Sequence, residues 1–206
     1  MRLRFAFALV LALIGAAALV LSVSAGADKG KGKGKGQSNQ QMRWDIISVN
    51  FGTGTLSAGG VASSLANDGS KITLTGNGTF RSNPGTPQDV TGGGTWQTFS
   101  PTGSPTGNGT YNVSGFVSFT AAPGTPPLPN DTIGNSKDNR AGLLVVKIRY
   151  SDGSAGTLVV SCHLVGTPDS VFEGVTATKG FVDYWNREAP PAPPGNADRT
   201  TFHVLH

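Results

Sequence analysis

The residue types best suited to acid–base chemistry lie in the last third of the chain. Cys162 and His163 are adjacent, and Glu173 is one of only two glutamates among the 206 residues. Neighbouring residues of a β-strand point to opposite faces, so Cys162 and His163 do not form a thiolate–imidazole pair in a strand. His163 and Glu173 are therefore separate candidates for donating a proton to, or accepting one from, a bound molecule.

The turn of one hairpin decides which way His163 points. Strands are predicted at 143–150 and 157–165, on either side of Ser151-Asp152-Gly153-Ser154. Asp-Gly is typical of a two-residue type I′ turn, which would place His163 on the same face as Tyr150. A three-residue turn would reverse the assignment. With the two-residue turn, Tyr150 becomes a third catalytic candidate beside His163 and Glu173.

A second group of polar and aromatic side chains follows Glu173. Asp183 and Trp185 in the predicted strand 171–186, and Arg187 just after it, alternate along the chain and would share one face with Glu173. Charged groups that orient a ligand against an aromatic wall are typical of a binding site. A solvated charge ladder on an edge strand has the same pattern, and the sequence leaves both interpretations open.

No motif indicates a metal or cofactor. A single cysteine excludes Cys-based zinc and iron–sulfur sites supplied by one chain, and the oxygen-rich segment 130–139 lacks the spacing of a calcium loop. The sequence Gly-x-Gly-Thr recurs at 52–55, 76–79, 92–95 and 107–110, but no predicted helix follows it. A phosphate-binding loop needs such a helix N-terminus, so we expect no metal and no cofactor.

The elements that must position these residues are β-strands. From Met42 onward, short β-branched and aromatic runs alternate with turn residues, and no stretch shows a sustained helical period. The proline-rich segments 122–140 and 188–199 interrupt the pattern, and the first is long enough to be a lid or binding loop. We expect about nine mostly antiparallel strands, at 43–51, 61–66, 71–80, 90–99, 110–121, 143–150, 157–165, 171–186 and 201–205.

The regular glycines favour a closed sheet. Inward-facing glycines let strands bend, and an aromatic side chain on a neighbouring strand covers the exposed backbone. The domain 42–206 is therefore predicted to be a single antiparallel β-barrel, with a β-sandwich as the alternative. At fold level the meander is similar to calycin-like and allene-oxide-cyclase-like barrels. The residues predicted to line its interior are Trp96, Tyr111, Phe119, Tyr150 and His163.

The N-terminal segments carry the targeting information. Arg2 and Arg4 precede an apolar run over 5–21 and then small residues, which predicts a signal peptide over 1–27, with a retained signal anchor as the alternative. Segment 28–41, with four lysines each followed by glycine, is predicted to be a flexible tail. We therefore expect a secreted or cell-envelope location and no transmembrane span after cleavage.

The net charge of +4 belongs to these terminal segments. From Gln37 onward there are 10 basic and 11 acidic residues, so the predicted domain is nearly neutral. Large basic patches support nonspecific nucleic-acid binding, and the domain's charge balance provides none. We expect no specific nucleic-acid partner.

One block of the chain resembles uncharacterised secreted bacterial proteins that are rich in β-structure. The block comprises SCHL at 161–164 and VFEGVTATKGFVDYWN at 171–186, and the resemblance covers the last third of the chain. It implies secretion and one β-domain, and it carries no activity and no site residue with it.

Three hypotheses about function remain open at this point. The leading one is a non-catalytic secreted barrel that binds a small apolar or amphipathic ligand. The second is a cofactor-free isomerase or cyclase that uses His163 or Glu173, and the third is an envelope or matrix protein that works through interaction with a surface. The sequence does not indicate an oligomeric state.

Overall fold

A computed structural model describes residues 39–82, 89–125 and 130–206 of the chain. The predicted signal peptide and residues 28–38 of the predicted tail lie outside the described residues. Within those ranges the chain is almost entirely β-structure, with one short 3-10 turn at Ser136–Asp138. The same ranges contain no helix with the length and apolar character needed to cross a membrane.

Fourteen strands are present in the described residues, and most match the predicted positions. The predicted strand 71–80 is divided in two at Gly76, and the predicted strand 171–186 is divided into shorter pieces. The strands are β1 Gln41–Asn50, β2 Thr55–Ala58, β3 Ala62–Leu65, β4 Lys71–Leu74, β5 Asn77–Arg81, β6 Gly93–Phe99, β7 Pro105–Ala122, β8 Asn130–Asp131, β9 Asn139–Tyr150, β10 Ala155–Cys162, β11 Gly174–Lys179, β12 Val182–Tyr184, β13 Asn186–Arg187 and β14 Arg199–Val204.

Six of these strands close into an antiparallel barrel, which confirms the predicted all-β fold and the barrel architecture. The hydrogen-bonded ring runs β1, β5, β6, β7, β9 and β14, and β14 pairs with β1 again. The remaining strands lie outside this ring. Among them, β10 and β11 extend the sheet from β9, and β2 pairs with β1.

Glycines bend the barrel wall where an indole ring lies against it. Added Cβ atoms at Gly76, Gly78 and Gly92 would each meet the ring of Trp44, which is fully buried. Gly76 has φ +152° and Gly92 has φ +132°, backbone conformations that favour glycine. The aromatic cover over glycine-bent strands is thus observed. The missing Cβ atoms let β5 approach the chain just before β6, since a Cβ at Gly78 would lie 2.6 Å from Gly92 Cα.

Alanine at Gly78 tests this closure. Its Cβ would overlap the carbonyl oxygen of Thr91 and come within 2.7 Å of Trp44 Nε1. We expect Gly78→Ala to lower the free energy of unfolding by about 3 kcal/mol, because overpacking forces the backbone to move. Gly115→Ala is the matched control, since its Cβ would lie 3.7 Å from the nearest atom, on the Lys147 side chain. Equal urea-unfolding midpoints for the two variants would count against this account.

The two Asp-Gly hairpins differ from the predicted type I′ turns. In the second, Tyr150 N–H donates to Ser154 O at 2.9 Å, which encloses three residues, 151–153. Gly153 has φ +88°, whereas Asp152 does not have a positive φ. The Asp152 carboxylate accepts the Ser154 N–H at 3.0 Å. A type I turn followed by a left-handed glycine is the usual geometry of a three-residue hairpin loop. The first hairpin closes in the same way, with an Ala66 N–H to Ser70 O bond.

The longer turn reverses the faces of the β9–β10 hairpin. Cys162 now pairs with Gly142 and lies on the face of Tyr150. Cys162 is completely buried in the main core. The prediction that His163 shares a face with Tyr150 was therefore wrong, because one extra turn residue shifts the register by one.

Aromatic rings fill the interior of the barrel. The Tyr150 ring lies 5.7 Å from Trp96 and 6.3 Å from Tyr111, and Phe119 lies 4.9 Å from Phe80. Four residues predicted to line the interior pack against one another or against their neighbours and contribute to the hydrophobic core. They are Trp96, Tyr111, Phe119 and Tyr150. Ring pairs at these separations add stability beyond the area they bury.

Candidate functional site

A cavity of about 230 Å³ lies on the outer side of β1 and β14, away from the aromatic interior of the barrel. It has one apolar wall and one polar wall. The apolar side chains are Ile47, Val49, Phe51, Leu56 and Leu164, and the polar ones are Asn139, His163, Glu173, Arg199, Thr200 and Thr201.

The apolar wall exists because β1 is buried on both faces. Trp44 and Ile46 belong to the main core, so Ile47 and Val49 point to the opposite side. Leu56 from β2 packs against both, and the three form a second, separate cluster. The cavity therefore lies beside a small core of its own, formed where β2 folds back on β1.

Glu173 joins the ends of two strands at the polar wall. Its Oε2 accepts the backbone N–H of His163, just after β10, and its Oε1 accepts the N–H of Thr200 in β14, both at 2.5 Å. Burial raises the pKa of the Glu173 carboxyl to about 8, although these two N–H groups and the nearby charge of Arg199 act in the opposite direction. A carboxyl group with such a pKa is mainly protonated at neutral pH.

The ring of His163 is oriented by the chain that follows it. Its Nδ1 lies 2.7 Å from the carbonyl oxygen of Val171. A carbonyl oxygen only accepts, so Nδ1 carries the proton and Nε2 is the lone-pair nitrogen of the neutral ring. This contact fixes the orientation of the His163 ring, which lies at the polar wall of the cavity.

Arg199 brings the positive charge of the cavity. Its guanidinium carbon lies 4.8 Å from the centre of the Phe51 ring, and its Nη2 donates to Pro191 O at 3.0 Å. The Nε atom is buried and has no hydrogen-bond partner among the described residues. No carboxylate of those residues lies within 4 Å of its side-chain nitrogens. A guanidinium has five N–H donors, and the hydrogen bond to Pro191 O uses one of them.

The structure brings His163 and Glu173 together in this cavity and leaves the third catalytic candidate elsewhere. Tyr150 lies on the other face of the hairpin, where its hydroxyl donates to Thr178 O at 2.8 Å. Burial raises the pKa of that hydroxyl far above its usual value. Of the predicted interior lining, only His163 lines this cavity, whereas Trp96, Tyr111 and Phe119 pack in the barrel.

The predicted face of Glu173, Asp183, Trp185 and Arg187 does not form. Glu173 precedes β11, whose first residue Gly174 has φ +113°, so the alternation assumed along 171–186 is interrupted. Trp185 is 50% exposed, and the guanidinium of Arg187 lies 5.5 Å from the ring centre of Phe172. These two residues are outside the cavity.

Arg199 and the apolar wall were not among the sequence candidates. Arg199 falls at the end of a proline-rich segment that reads as a loop, whereas it is the first residue of β14. The one signal for the wall is the consecutive pair Ile46-Ile47, which indicates a strand buried on both faces.

A second buried polar cluster lies next to β14. His203 Nε2 is 2.6 Å from Asp131 Oδ2, and both side chains are almost fully buried. Asp131 also accepts from Asn139 Nδ2 at 2.9 Å. This part of the segment 122–140, expected as a lid or binding loop, is thus held against the barrel. No cluster of three or more metal-ligating side chains occurs in the described part of the chain.

The fold and the site together define a class, a closed antiparallel β-barrel with a small half-apolar cavity outside the ring of strands. Comparison with protein families, curated proteins and solved structures finds no match to this chain.

Proposed function

We propose that this barrel protein binds a small amphipathic ligand in the cavity beside β1 and β14. The observation that carries the proposal is the division of the cavity into an apolar wall, around Ile47, Val49 and Leu56, and a polar wall with Glu173 and Arg199. Small-molecule sites typically combine apolar surface with a few placed polar groups. With the predicted signal peptide, the proposed place of action is outside the cytoplasm.

Binding, rather than catalysis, is the function that the contacts of Glu173 favour. Both of its carboxylate oxygens already accept backbone N–H groups, from His163 and Thr200. Because the carboxyl group of Glu173 holds two strand ends in place, it cannot easily turn to exchange a proton with a ligand. Glu173 and His163 still provide polar surface on one side of the ligand.

The volume restricts the ligand to a small molecule. A cavity of about 230 Å³ equals the share of liquid volume of about eight water molecules. A six-carbon chain with one polar end is of this order of size. At a ligand efficiency of about 0.6 kcal/mol per non-hydrogen atom, we expect a dissociation constant of about 1 mM for such a probe.

Titration with 1-hexanol tests the proposal on the full chain. We expect saturable changes in amide chemical shifts that are confined to the residues around the cavity. Leu56→Trp should abolish them, because the larger side chain fills the cavity. Val117→Trp is the matched control, since Val117 is 49% exposed on β7, outside the cavity. Linear, unsaturable shifts, or shifts spread over the barrel, would rule the proposal out.

A further inference from the structure

We propose that the cavity selects a carboxylate, so that its ligand is a small apolar monocarboxylic acid whose head group binds Arg199. The inference rests on the proposed function and names the chemical class of its ligand. It depends on three features of the cavity: an unpaired guanidinium, the lack of a competing negative charge, and an apolar wall next to both.

The first feature is the unused hydrogen-bonding capacity of Arg199. Pro191 O takes one donor of Nη2, and Nε, which is buried, has no partner among the described residues. A buried donor without an acceptor is costly, and a charged donor more so. The planar fork of a guanidinium matches the two oxygens of a carboxylate. A bound carboxylate would therefore satisfy the donors that the protein leaves open.

The second feature is the charge balance around Arg199. Glu173 is the one carboxyl group among the cavity-lining residues, and its two oxygens face the backbone N–H groups of His163 and Thr200. Because burial raises its pKa to about 8, this carboxyl is mainly neutral at pH 7. Asp198, which precedes Arg199 in the chain, is near enough for the two charges to interact, but it does not line the cavity, and its Oδ1 accepts the N–H of Ser63 at 2.6 Å. An anion is attracted into such a site, and a cation is repelled.

The third feature is the position of the apolar wall. The guanidinium of Arg199 lies over Phe51, and Phe51 packs against the cluster of Ile47, Val49 and Leu56. A head group at Arg199 thus has apolar surface within reach of a short chain. Contact with an aromatic ring also fixes the guanidinium in place, which lowers the entropy lost when a ligand binds.

Three six-carbon probes that differ only in their head group test the inference. On the full chain at pH 7, we expect hexanoate to bind at least tenfold more tightly than 1-hexanol, and hexylammonium to show no saturable binding. Hexanoate should also shift the Nε–H resonance of Arg199 in the nitrogen–proton spectrum. Equal dissociation constants for hexanoate and 1-hexanol would overturn the inference and leave the proposed function standing. Absence of binding by all three probes would rule out both this inference and the proposed function.

Variants of two arginines test whether Arg199 is the source of the preference for a carboxylate. Arg199→Gln should remove the advantage of hexanoate and change the affinity for 1-hexanol by less than twofold. Arg187→Gln is the matched control, because Arg187 is exposed and outside the cavity, and it should keep the full tenfold preference. A preference that survives in Arg199→Gln contradicts the assignment. If that variant does not fold, the head-group comparison and the Nε–H shift in the unaltered chain still decide the question.

Discussion

Replacing Asp131 by alanine is expected to lower the free energy of unfolding by about 3–5 kcal/mol, because several groups packed around its carboxylate lose their hydrogen-bond acceptor, each at a cost of about 1–3 kcal/mol. The carboxylate of Asp131 has four partners. Oδ2 lies 2.6 Å from His203 Nε2 and 2.9 Å from Asn139 Nδ2, and Oδ1 accepts the N–H groups of Ile133 and Gly134. The variant would leave three partly buried groups and the exposed N–H of Gly134 without this acceptor, and the buried His203 ring cannot reach water to compensate.

The exposed pair on the same segment is the control. His206 Nε2 lies 3.1 Å from Asp138 Oδ1, and the His206 side chain is 74% exposed. Water replaces such a contact readily, so Asp138→Ala should cost less than about 1 kcal/mol. Urea unfolding of both variants at pH 7 measures the difference. Comparable losses would show that the segment 130–138 contributes through its backbone and not through the buried pair.

Glu173→Gln is expected to change how stability depends on pH. The pKa of Glu173 is about 8 in the folded protein, against an ordinary value of 4.5, so between these values the folded state binds more protons than the unfolded state. Stability is therefore highest below about pH 4.5, falls as the pH rises, and levels off above about pH 8. The slope from this one group approaches about 1.4 kcal/mol per pH unit inside that window.

Glutamine removes this slope because its amide does not titrate. It also turns one N–H donor toward the backbone N–H of His163 or Thr200, so Glu173→Gln should be less stable than the unaltered protein at pH 5. The gap between the two should narrow steadily up to pH 8. Urea unfolding at half-unit steps from pH 5 to 9 measures it.

The other glutamate of the chain supplies the comparison. Glu188 lies 3.8 Å from Lys71 at a partly exposed position. Glu188→Gln should leave the contribution of Glu173 in place, as well as that of Asp45, whose pKa is also raised by burial. It should change only the smaller contribution of Asp198, because the charge of Glu188 adds to the effect of burial in raising the pKa of Asp198. A constant gap between the Glu173→Gln variant and the unaltered protein across the whole range would disprove the assignment.

Two residues of the candidate site could be named in advance because their chemistry is rare in this chain. His163 is one of three histidines, and Glu173 is one of two glutamates, so each stands out by type. Their meeting could not be predicted. It depends on where β10 ends, and on Gly174, whose left-handed backbone ends the alternation that the pattern implied.

Arg199, in contrast, could not be named in advance. Its type is common, and its place at the end of a proline-rich segment marks it as a loop residue. Only the pairing of β14 with β1 sets Arg199 opposite Ile47 and brings it to the cavity. Pairing between strands so distant in the chain leaves no trace in either local sequence.

The sequence by itself determined the all-β class and most of the strand positions, because these follow from local patterns, and its glycines favoured a barrel over the alternative sandwich. Glycines two residues apart allow a bend wherever they occur, and Gly76, Gly78 and Gly92 lie where the barrel needs one. Only the tertiary structure decided which face became the site. A strand changes faces with every residue, so the single additional residue in the turn 151–153 moved Cys162 into the core and His163 to the cavity.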